Sequence, residues 1–533
     1  MYIKYYYSNG YMYAQLQEAK RDEHGKKYEM IHCQLGRVID EAEGIFRSRD
    51  RGVFKYSLEN GFSDIKDPKE YLAHAYGSKI ELILDFGAVY VFLQALKKDG
   101  LLEVFQKAMP QKSDTLLTLV LHDMLTAEAS QYTEDFWRTT YARIALPDAK
   151  LKSQRLSEFL SELGEEAVFR KFFNTYLSYV VNKSRTSKHG IIVDSTGLQN
   201  DSHMDLAALN VHNGVASHEI RLILAVDRHT GYPLYFRCVK GNVLDVNSLT
   251  ITIADIEQYG IDVDSCLLDA GYYCGVNIDD LNRSRIPYLL RLKAGNNIYD
   301  NLIAAHLDGL DTYENRVVYG KRVVFIKCVP IDFHSGKAFA YVSIDLETQA
   351  DERRRIFSKN LEDFKSKAEM DEKLRKSGVF ILISKIKATI EEILPLYYSR
   401  QAVEQAFDFG KNYANLLPLR IHSEAVLRGH LMISFMATAA IMTIDRMFGK
   451  AHPKVKNRRS INFLQARSCL RQMKCQVYDD HITVTEPDRQ SNDVLKALKI
   501  VYNKHINITP RNEPEKAVAV APDGKDDALE ATL

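Results

Sequence analysis

Twice in this chain a short apolar run stops at an aspartate: Gly190-Ile191-Ile192-Val193 before Asp194-Ser195-Thr196, and Cys266-Leu267-Leu268 before Asp269-Ala270-Gly271-Tyr272. Unbroken runs this short fit strands buried on both faces of a sheet, because a buried helix runs to at least about ten residues. A carboxylate at such a strand end is partly withdrawn from water and must be paired, hydrogen-bonded or bound to a metal. A single aspartate of this kind is more often a turn cap. Two of them suggest a shared site beyond the carboxyl ends of neighbouring strands, where open α/β sheets gather ligands.

The pattern around these runs divides the chain. Residues 1–70 alternate, as in Tyr11 to Gln17 and Lys27 to Cys33, about the turn-like Asp22-Glu23-His24-Gly25, which predicts a β-hairpin. Residues 71–185 take helical spacing. The runs Ile220 to Val226 and Leu234 to Val239, joined by Asp227-Arg228-His229-Thr230-Gly231, predict an antiparallel pair beside the Asp194 strand. Alternating helix and strand then continue to Leu292, so residues 186–294 and 377–480 are expected to form one mixed α/β core. Residues 295–376 break the rhythm as a β-rich insertion, 481–510 are expected to be helical, and 511–533 have the composition of a disordered tail. With 533 residues, 46% hydrophobic and 26% charged, the chain is long enough for several domains and too apolar for a disordered one.

A third acid stands in the sequence Tyr397-x2-Arg400-x3-Glu404-x6-Lys411, within a helix expected from about Ile393 to Tyr413. At about 100° per residue these four side chains share one stripe, with Val403, Ala406 and Phe407 beside it. The plain alternative is a solvated face with an Arg400–Glu404 pair, worth only about 0.3 kcal/mol. Three carboxylates prefer hard cations, Mg²⁺ or Mn²⁺ over zinc, and two such ions suit in-line phosphodiester chemistry.

The spacing of Tyr397, Arg400, Glu404 and Lys411 resembles the Tyr-Arg-Glu-Lys signature of bacterial IS4-type DDE transposases, especially the IS1634-like group. Asp194-Ser195-Thr196 is similar to that family's first catalytic motif and Asp269-Ala270-Gly271-Tyr272 to its second, and the likeness covers most of the chain. It implies an RNase H-like core with a β-rich insertion before the glutamate, preceded by the hairpin and a helical region that binds the DNA ends. It assigns Asp194, Asp269 and Glu404 to catalysis and metal binding, and Tyr397, Arg400 and Lys411 to DNA phosphates. It further implies terminal inverted repeats and target DNA as partners, a homodimer on DNA, and cut-and-paste transposition. Two other readings stand beside it: a silent DNA-binding regulator derived from such an enzyme, and a stand-alone Mg²⁺ nuclease. In these relatives a Trp can stack on a flipped base, whereas the single Trp here, Trp137, lies outside the catalytic core.

The chain holds 71 Lys and Arg against 70 Asp and Glu, yet residues 373–475 hold 18 against 6. Within them Arg446 to Lys474 includes Lys454, Lys456, Arg458 and Arg459 and no acid, which favours DNA contact. No phosphate-cradling GxxxxGK loop is present, so a nucleotide cofactor is not expected. Seven scattered cysteines, the absence of a secretory pattern at the N-terminus and an apolar stretch of only about 14 residues at Leu431 to Ile444 predict a cytoplasmic, nucleoid-associated protein of a bacterial-type cell, without a membrane span.

Overall fold

The computed structural model describes the chain except for residues 9–10, 24, 66–81, 127, 201–203, 213–214, 244–247, 359–363, 365, 413–418, 420, 452–460, 479–480 and 508–533. The tail expected over 511–533 and the basic residues Lys454, Lys456, Arg458 and Arg459 thus lie outside the described residues. The chain divides into two compact units, residues 1–84, 474–486 and 502–533 in one, 85–473 and 487–501 in the other.

The first unit opens with six antiparallel strands in chain order: β1 (Tyr2–Ser8), β2 (Tyr11–Arg21), β3 (Lys27–Asp40), β4 (Ile45–Ser48), β5 (Gly52–Ser57) and β6 (Gly61–Asp64). β2 and β3 form the expected hairpin, but it is one part of a larger sheet. A lone hairpin is marginal in water, and here further strands let Ala14, Leu16, Leu35, Phe46, Phe54 and Tyr56 bury one another. Strand β7 (Leu82–Asp85) follows.

The second unit begins with helices α1 (Gly87–Asp99), α2 (Leu101–Ala108), α3 (Ser113–Leu125), α4 (Thr133–Thr139), α5 (Ala142–Ala145), α6 (Ser153–Leu163) and α7 (Glu166–Ser184). Phe172, Phe173 and Tyr176 recur at three- and four-residue spacing on α7 and are fully buried, Phe173 edge-on to Phe236 and Phe435. The main sheet then forms from β8 (Lys188–Gln199), β9 (Ala208–His212), β10 (Val215–Asp227), β11 (Pro233–Lys240), α8 (Leu249–Gln258), β12 (Asp262–Leu268), α9 (Gly275–Arg283) and β13 (Tyr288–Arg291). Helix α10 (Asn297–His306), strands β14 (Arg316–Tyr319), β15 (Arg322–Phe333) and β16 (Gly336–Asp345), helices α11 (Leu346–Phe357) and α12 (Lys367–Arg375), and strand β17 (Val379–Ser384) follow.

The strand order is β11-β10-β8-β12-β13-β17-β16-β15-β14, with β9 also paired to β10. β8, β12 and β13 run parallel to one another, and the other neighbouring pairs are antiparallel. The β-rich stretch within 295–376 therefore extends the main sheet instead of forming a separate layer. The reason lies in β17: Val379 to Ser384 is buried at every position, so its backbone groups need partners on both sides, and β13 and β16 supply them.

The chain ends with α13 (Ile390–Tyr398), α14 (Gln401–Asn412), α15 (Glu424–Ala451), α16 (Phe463–Leu470), β18 (Lys474–Val477), β19 (His481–Val484), α17 (Arg489–Leu498) and β20 (His505–Asn507). Two expectations are corrected here. Helices are expected from the sequence to continue to about Val477, but they stop before Lys474, and the segment 481–510 is not simply helical: β18, β19 and β20 pair with one another and with β7 in a four-stranded sheet. Cys475, Val477, Ile482 and Val484 are buried at every second position, a period of two spread over stretches of only four residues. Helix α15 is 28 residues long, twice the apolar stretch noted in the sequence. It is long and apolar enough to cross a membrane, but 83% of its most apolar window is buried inside the protein, as expected for a core helix.

Candidate active site

The parallel register places the two strand-end acids side by side. β12 and β8 pair as Cys266↔Ile191, Leu267↔Ile192 and Leu268↔Val193, so Asp269, just past the end of β12 in extended backbone, and Asp194 on β8 are the next residues along the two neighbouring chains. Side chains alternate along a strand, which sends both acids to the face shared by Ile192 and Leu267. Across the other edge of β8, β10 sets Leu224 opposite Asp194 and Leu222 opposite Thr196, on the same face again. The backbone N–H of Ser195 donates to Asp194 Oδ1 at 2.8 Å.

Helix α14 covers that face. Ala406, Phe407 and Gly410 meet Leu222 and Leu224 around a residual apolar gap of ≈ 30 Å³. Lys411 Nζ donates to Thr196 Oγ1 at 2.6 Å and ties the end of the helix to β8, two residues from Asp194. Burial holds the Lys411 ammonium below its ordinary pKa, partly offset by the nearby Glu219 carboxylate.

The single continuous helix expected over Ile393 to Tyr413 is in fact two. Ser399 Oγ donates back to the Leu396 carbonyl at 2.7 Å, and the Arg400 N–H bonds to the Tyr397 carbonyl three residues back, so the chain tightens and turns between α13 and α14. The four residues therefore do not share one exposed stripe. Tyr397 sits near the end of α13 and is only 7% exposed, Arg400 is in the junction, and Glu404 and Lys411 are on α14.

The junction makes Arg400 the link between acids from different elements. Its guanidinium lies 2.6 Å from Asp269 Oδ1 and 3.1 Å from Glu404 Oε1. Burial works against the Arg400 charge, but Asp269, Tyr397, Asp194 and Glu404 outweigh it and leave its pKa above the ordinary value. The Tyr397 ring stands 5.8 Å from the guanidinium carbon, and burial pushes its phenol pKa up. Asp269 and Glu404 thus share one cationic partner, on which the Asp194 charge also acts. Among the described residues no three His, Cys, Asp or Glu side chains form a ready-made metal cage, and Arg400 pairs with two of the acids. The donor chemistry nonetheless fits a hard divalent cation: the acids offer only carboxylate oxygen, and two of them already share a positive charge.

Two neighbours were not singled out in the sequence. Glu219 on β10 accepts from Ser217 Oγ at 2.8 Å and lies near Lys411, and Arg221 Nη1 donates to Ser195 Oγ at 3.2 Å. Their signal was alternation, with Glu219 and Arg221 flanking a fully buried Ile220, but a single strand does not reveal which neighbour its polar side chains meet. Arg446, counted in the basic run, packs over the Tyr232 ring at 3.9 Å and donates to the Thr230 carbonyl at 2.6 Å, so this member of the run is engaged within the fold.

Residues 185–439 match the family model of the transposase DDE domain, a span that takes in Asp194, Asp269, Tyr397, Arg400, Glu404 and Lys411. Among solved structures the chain is similar to a piggyBac transposase in a synaptic complex with hairpin DNA, at 9% identity and a TM-score of 0.35 over 72% of this chain and 70% of that one. No curated protein matches the chain.

Proposed function

We propose that this chain is an IS4-type, IS1634-like DDE transposase that binds the terminal inverted repeats of an insertion sequence, cleaves the DNA there and transfers the strand to target DNA. The observation that carries the reading is that Asp269 and Glu404 both pair with Arg400, with the Asp194 charge acting on the same guanidinium, within the span that matches the transposase DDE domain. Strand order supports an RNase H-like core. Counted from β8 through β10, β11, β12 and β13, the order is 3-2-1-4-5, with the first three strands antiparallel and the last two parallel to the first.

In this reading Asp194, Asp269 and Glu404 are the residues that would hold Mg²⁺ or Mn²⁺, two ions in all. Such ions supply activation of the attacking oxygen and stabilisation of the leaving one. The chain's own residues arrange the DNA. Lys411, anchored on Thr196, holds a positive charge beside the acids, and Arg400 offers a planar fork suited to a phosphate. Tyr397 orients Arg400 from its buried position and belongs with it to the phosphate-positioning set. Lys454, Lys456, Arg458 and Arg459 add backbone contacts, and a homodimer joins two ends.

The test is cleavage and joining of DNA carrying the element's ends, with purified full-length protein and Mg²⁺. Asp194→Asn, Asp269→Asn and Glu404→Gln are each expected to lower both steps by at least about a hundredfold, as loss of a metal-site group does. Full activity in all three would sink the assignment. Cleavage without joining of a precut end would leave a nuclease, and end binding without either step a silent regulator.

A further inference from the structure

Helix α13 leads into Arg400, yet its nine residues with Pro395 in their midst make a weak helix. A helix this short is marginal by itself, and a proline beyond the first turn removes an N–H from the ladder and crowds the carbonyl four residues back. Local support lies at its start, in the Thr389–Glu392 capping box. Side chains from the β-rich strands within 295–376 meet both of its ends. Tyr341 on β16 donates to the Ala388 carbonyl at 2.6 Å, just before α13 begins. At the other end, Tyr319 and Arg322 both reach Tyr398, the last residue of the helix.

These two residues come from one turn. Gly320-Lys321 joins β14 to β15, with Gly320 at φ +62°, as suits a two-residue hairpin loop with glycine first. The register sets Tyr319 directly opposite Arg322, so both side chains leave the same face side by side. The Tyr319 ring stacks on that of Tyr398, with centroids 5.1 Å apart and 13° between the planes. Arg322 Nη1 donates to the Tyr398 hydroxyl at 2.9 Å. Arg322 is itself held by an ion pair with Asp345, a buried carboxylate that also accepts from the Glu347 N–H at 3.0 Å and caps α11. The stack fixes the plane of the Tyr398 ring, and the directional bond fixes where its hydroxyl points. From Tyr398 the contacts continue to the acids. Its ring meets that of Tyr397 at 5.6 Å and 67°, and the Tyr397 ring lies 5.8 Å from the Arg400 guanidinium carbon. The backbone turns off the same place, with the Ser399 N–H bonded to the Pro395 carbonyl and the Arg400 N–H to that of Tyr397. Arg400 then pairs with Asp269 and Glu404.

We infer that Tyr319 and Arg322 are positioning residues for Arg400: by pinning Tyr398 they set the turn from which its guanidinium meets Asp269 and Glu404. This role rests on the proposed function, and it gives the β-rich stretch within 295–376 a task at the acids that needs no contact with DNA. The plain alternative is that Arg322 serves Asp345 alone and Tyr319 fills space. Substitution would then loosen the fold generally, without a local effect at Arg400.

The experiment pairs hydrogen exchange, read by mass spectrometry on full-length protein without DNA or metal, with single-turnover cleavage of end-containing duplex in Mg²⁺. In Arg322→Gln the amides of residues 399–406 are expected to exchange at least about tenfold faster, as loss of a hydrogen bond to a charged group allows, while those of 263–268 keep the wild-type rate. The cleavage rate at saturating DNA is expected to fall about tenfold, with the DNA concentration for half-maximal rate unchanged. Tyr398→Phe removes only the hydroxyl that Arg322 meets and is expected to act in the same direction. It keeps the test decisive if Arg322→Gln, which strips a buried Asp345 of its partner, fails to fold. Tyr319→Ala should reproduce both effects, and Tyr319→Phe, which keeps the stacked ring, should reverse them. Arg316→Gln, on the same β14 but over the Tyr313 ring, should leave both readouts at wild type. Wild-type exchange at 399–406 in Arg322→Gln and Tyr398→Phe, or in Tyr398→Phe if it alone folds, would overturn the inference. So would faster exchange spread equally over 263–268, an equal effect of Arg316→Gln, or normal cleavage in variants whose exchange at 399–406 is faster. If the wild type does not cleave, the transposase reading falls and exchange alone judges the positioning role. If it does cleave and exchange at 399–406 does not respond, the positioning role falls alone.

Discussion

Arg400 and His189 show how single side chains here are governed by partners distant in sequence. Arg400 meets Asp269, 131 positions away, and holds it beside a helix whose own Glu404 was the only partner legible from spacing. His189 Nδ1 lies 2.7 Å from Asp227 Oδ2, both groups being buried. For His189, burial favours the neutral ring, but the hydrogen bond and charge of Asp227 win and raise its pKa above 6.5. For Asp227, burial is again the largest influence, and the bonds from His189 and Thr230 outweigh it and lower its pKa below 3.8. A raised histidine stabilises the fold below its unfolded pKa, and that gain is lost as pH rises through the folded value. A lowered aspartate stabilises above its unfolded pKa, and that gain is lost as pH falls through the folded value. The pair should therefore contribute fully between about pH 4 and 6.5 and less on either side. Thermal melts across pH 3 to 9 should show the wild-type midpoint falling on both limbs. His189→Gln should cost about 3 kcal/mol near pH 5.5 and flatten the alkaline limb; an alkaline limb identical to wild type would remove His189 as its cause.

At the scale of elements, legibility followed length and period. The strands leading to Asp194 and Asp269 were plain because each is an unbroken apolar run that stops at an acid, and the antiparallel pair β10–β11 because two apolar runs flank the turn sequence Asp227 to Gly231. The strands β4, β6, β18 and β19 were not, since four residues cannot establish a period. The break between α13 and α14 escaped for another reason: Ser399 and Arg400 are acceptable helix residues, and the turn there comes from a local Ser399 bond and from the acids that hold Arg400. Close contact between α6 and α15 is a further case. A Cβ on Gly429 would lie 2.0 Å from the Leu160 carbonyl oxygen, and one on Gly164 would lie 1.8 Å from that of Ala425. Gly429→Ala is thus expected to destabilise the protein by about 2 kcal/mol or more, although alanine is the better helix former. A melting temperature at or above wild type would show that the two helices can separate at no cost.

Over the whole molecule, near neutrality conceals segregation. Residues 373–475 carry a net +12 and the remaining 430 residues −11, so the chain can attract DNA despite a total of +1. Replacement of Lys454, Lys456, Arg458 and Arg459 by Gln should lower affinity for end-containing duplex and reduce the salt slope by about three, with the melting temperature unchanged. An unaltered slope would assign the attraction to other parts of the chain. The sequence by itself determined the chemistry available: two acids at strand ends, a third at helical spacing from Arg and Lys, and a basic region, because residue type and local period are properties of a few neighbouring positions. Tertiary structure alone decided which of these groups meet. The parallel register of β8 and β12 set Asp194 and Asp269 at neighbouring strand ends, the turn at Arg400 gave Asp269 and Glu404 one shared guanidinium, and the β3–β4 pairing put Arg37 opposite Arg47. Such contacts depend on strand order and pairing, which follow from the burial of the entire sheet and leave no mark at the residues themselves.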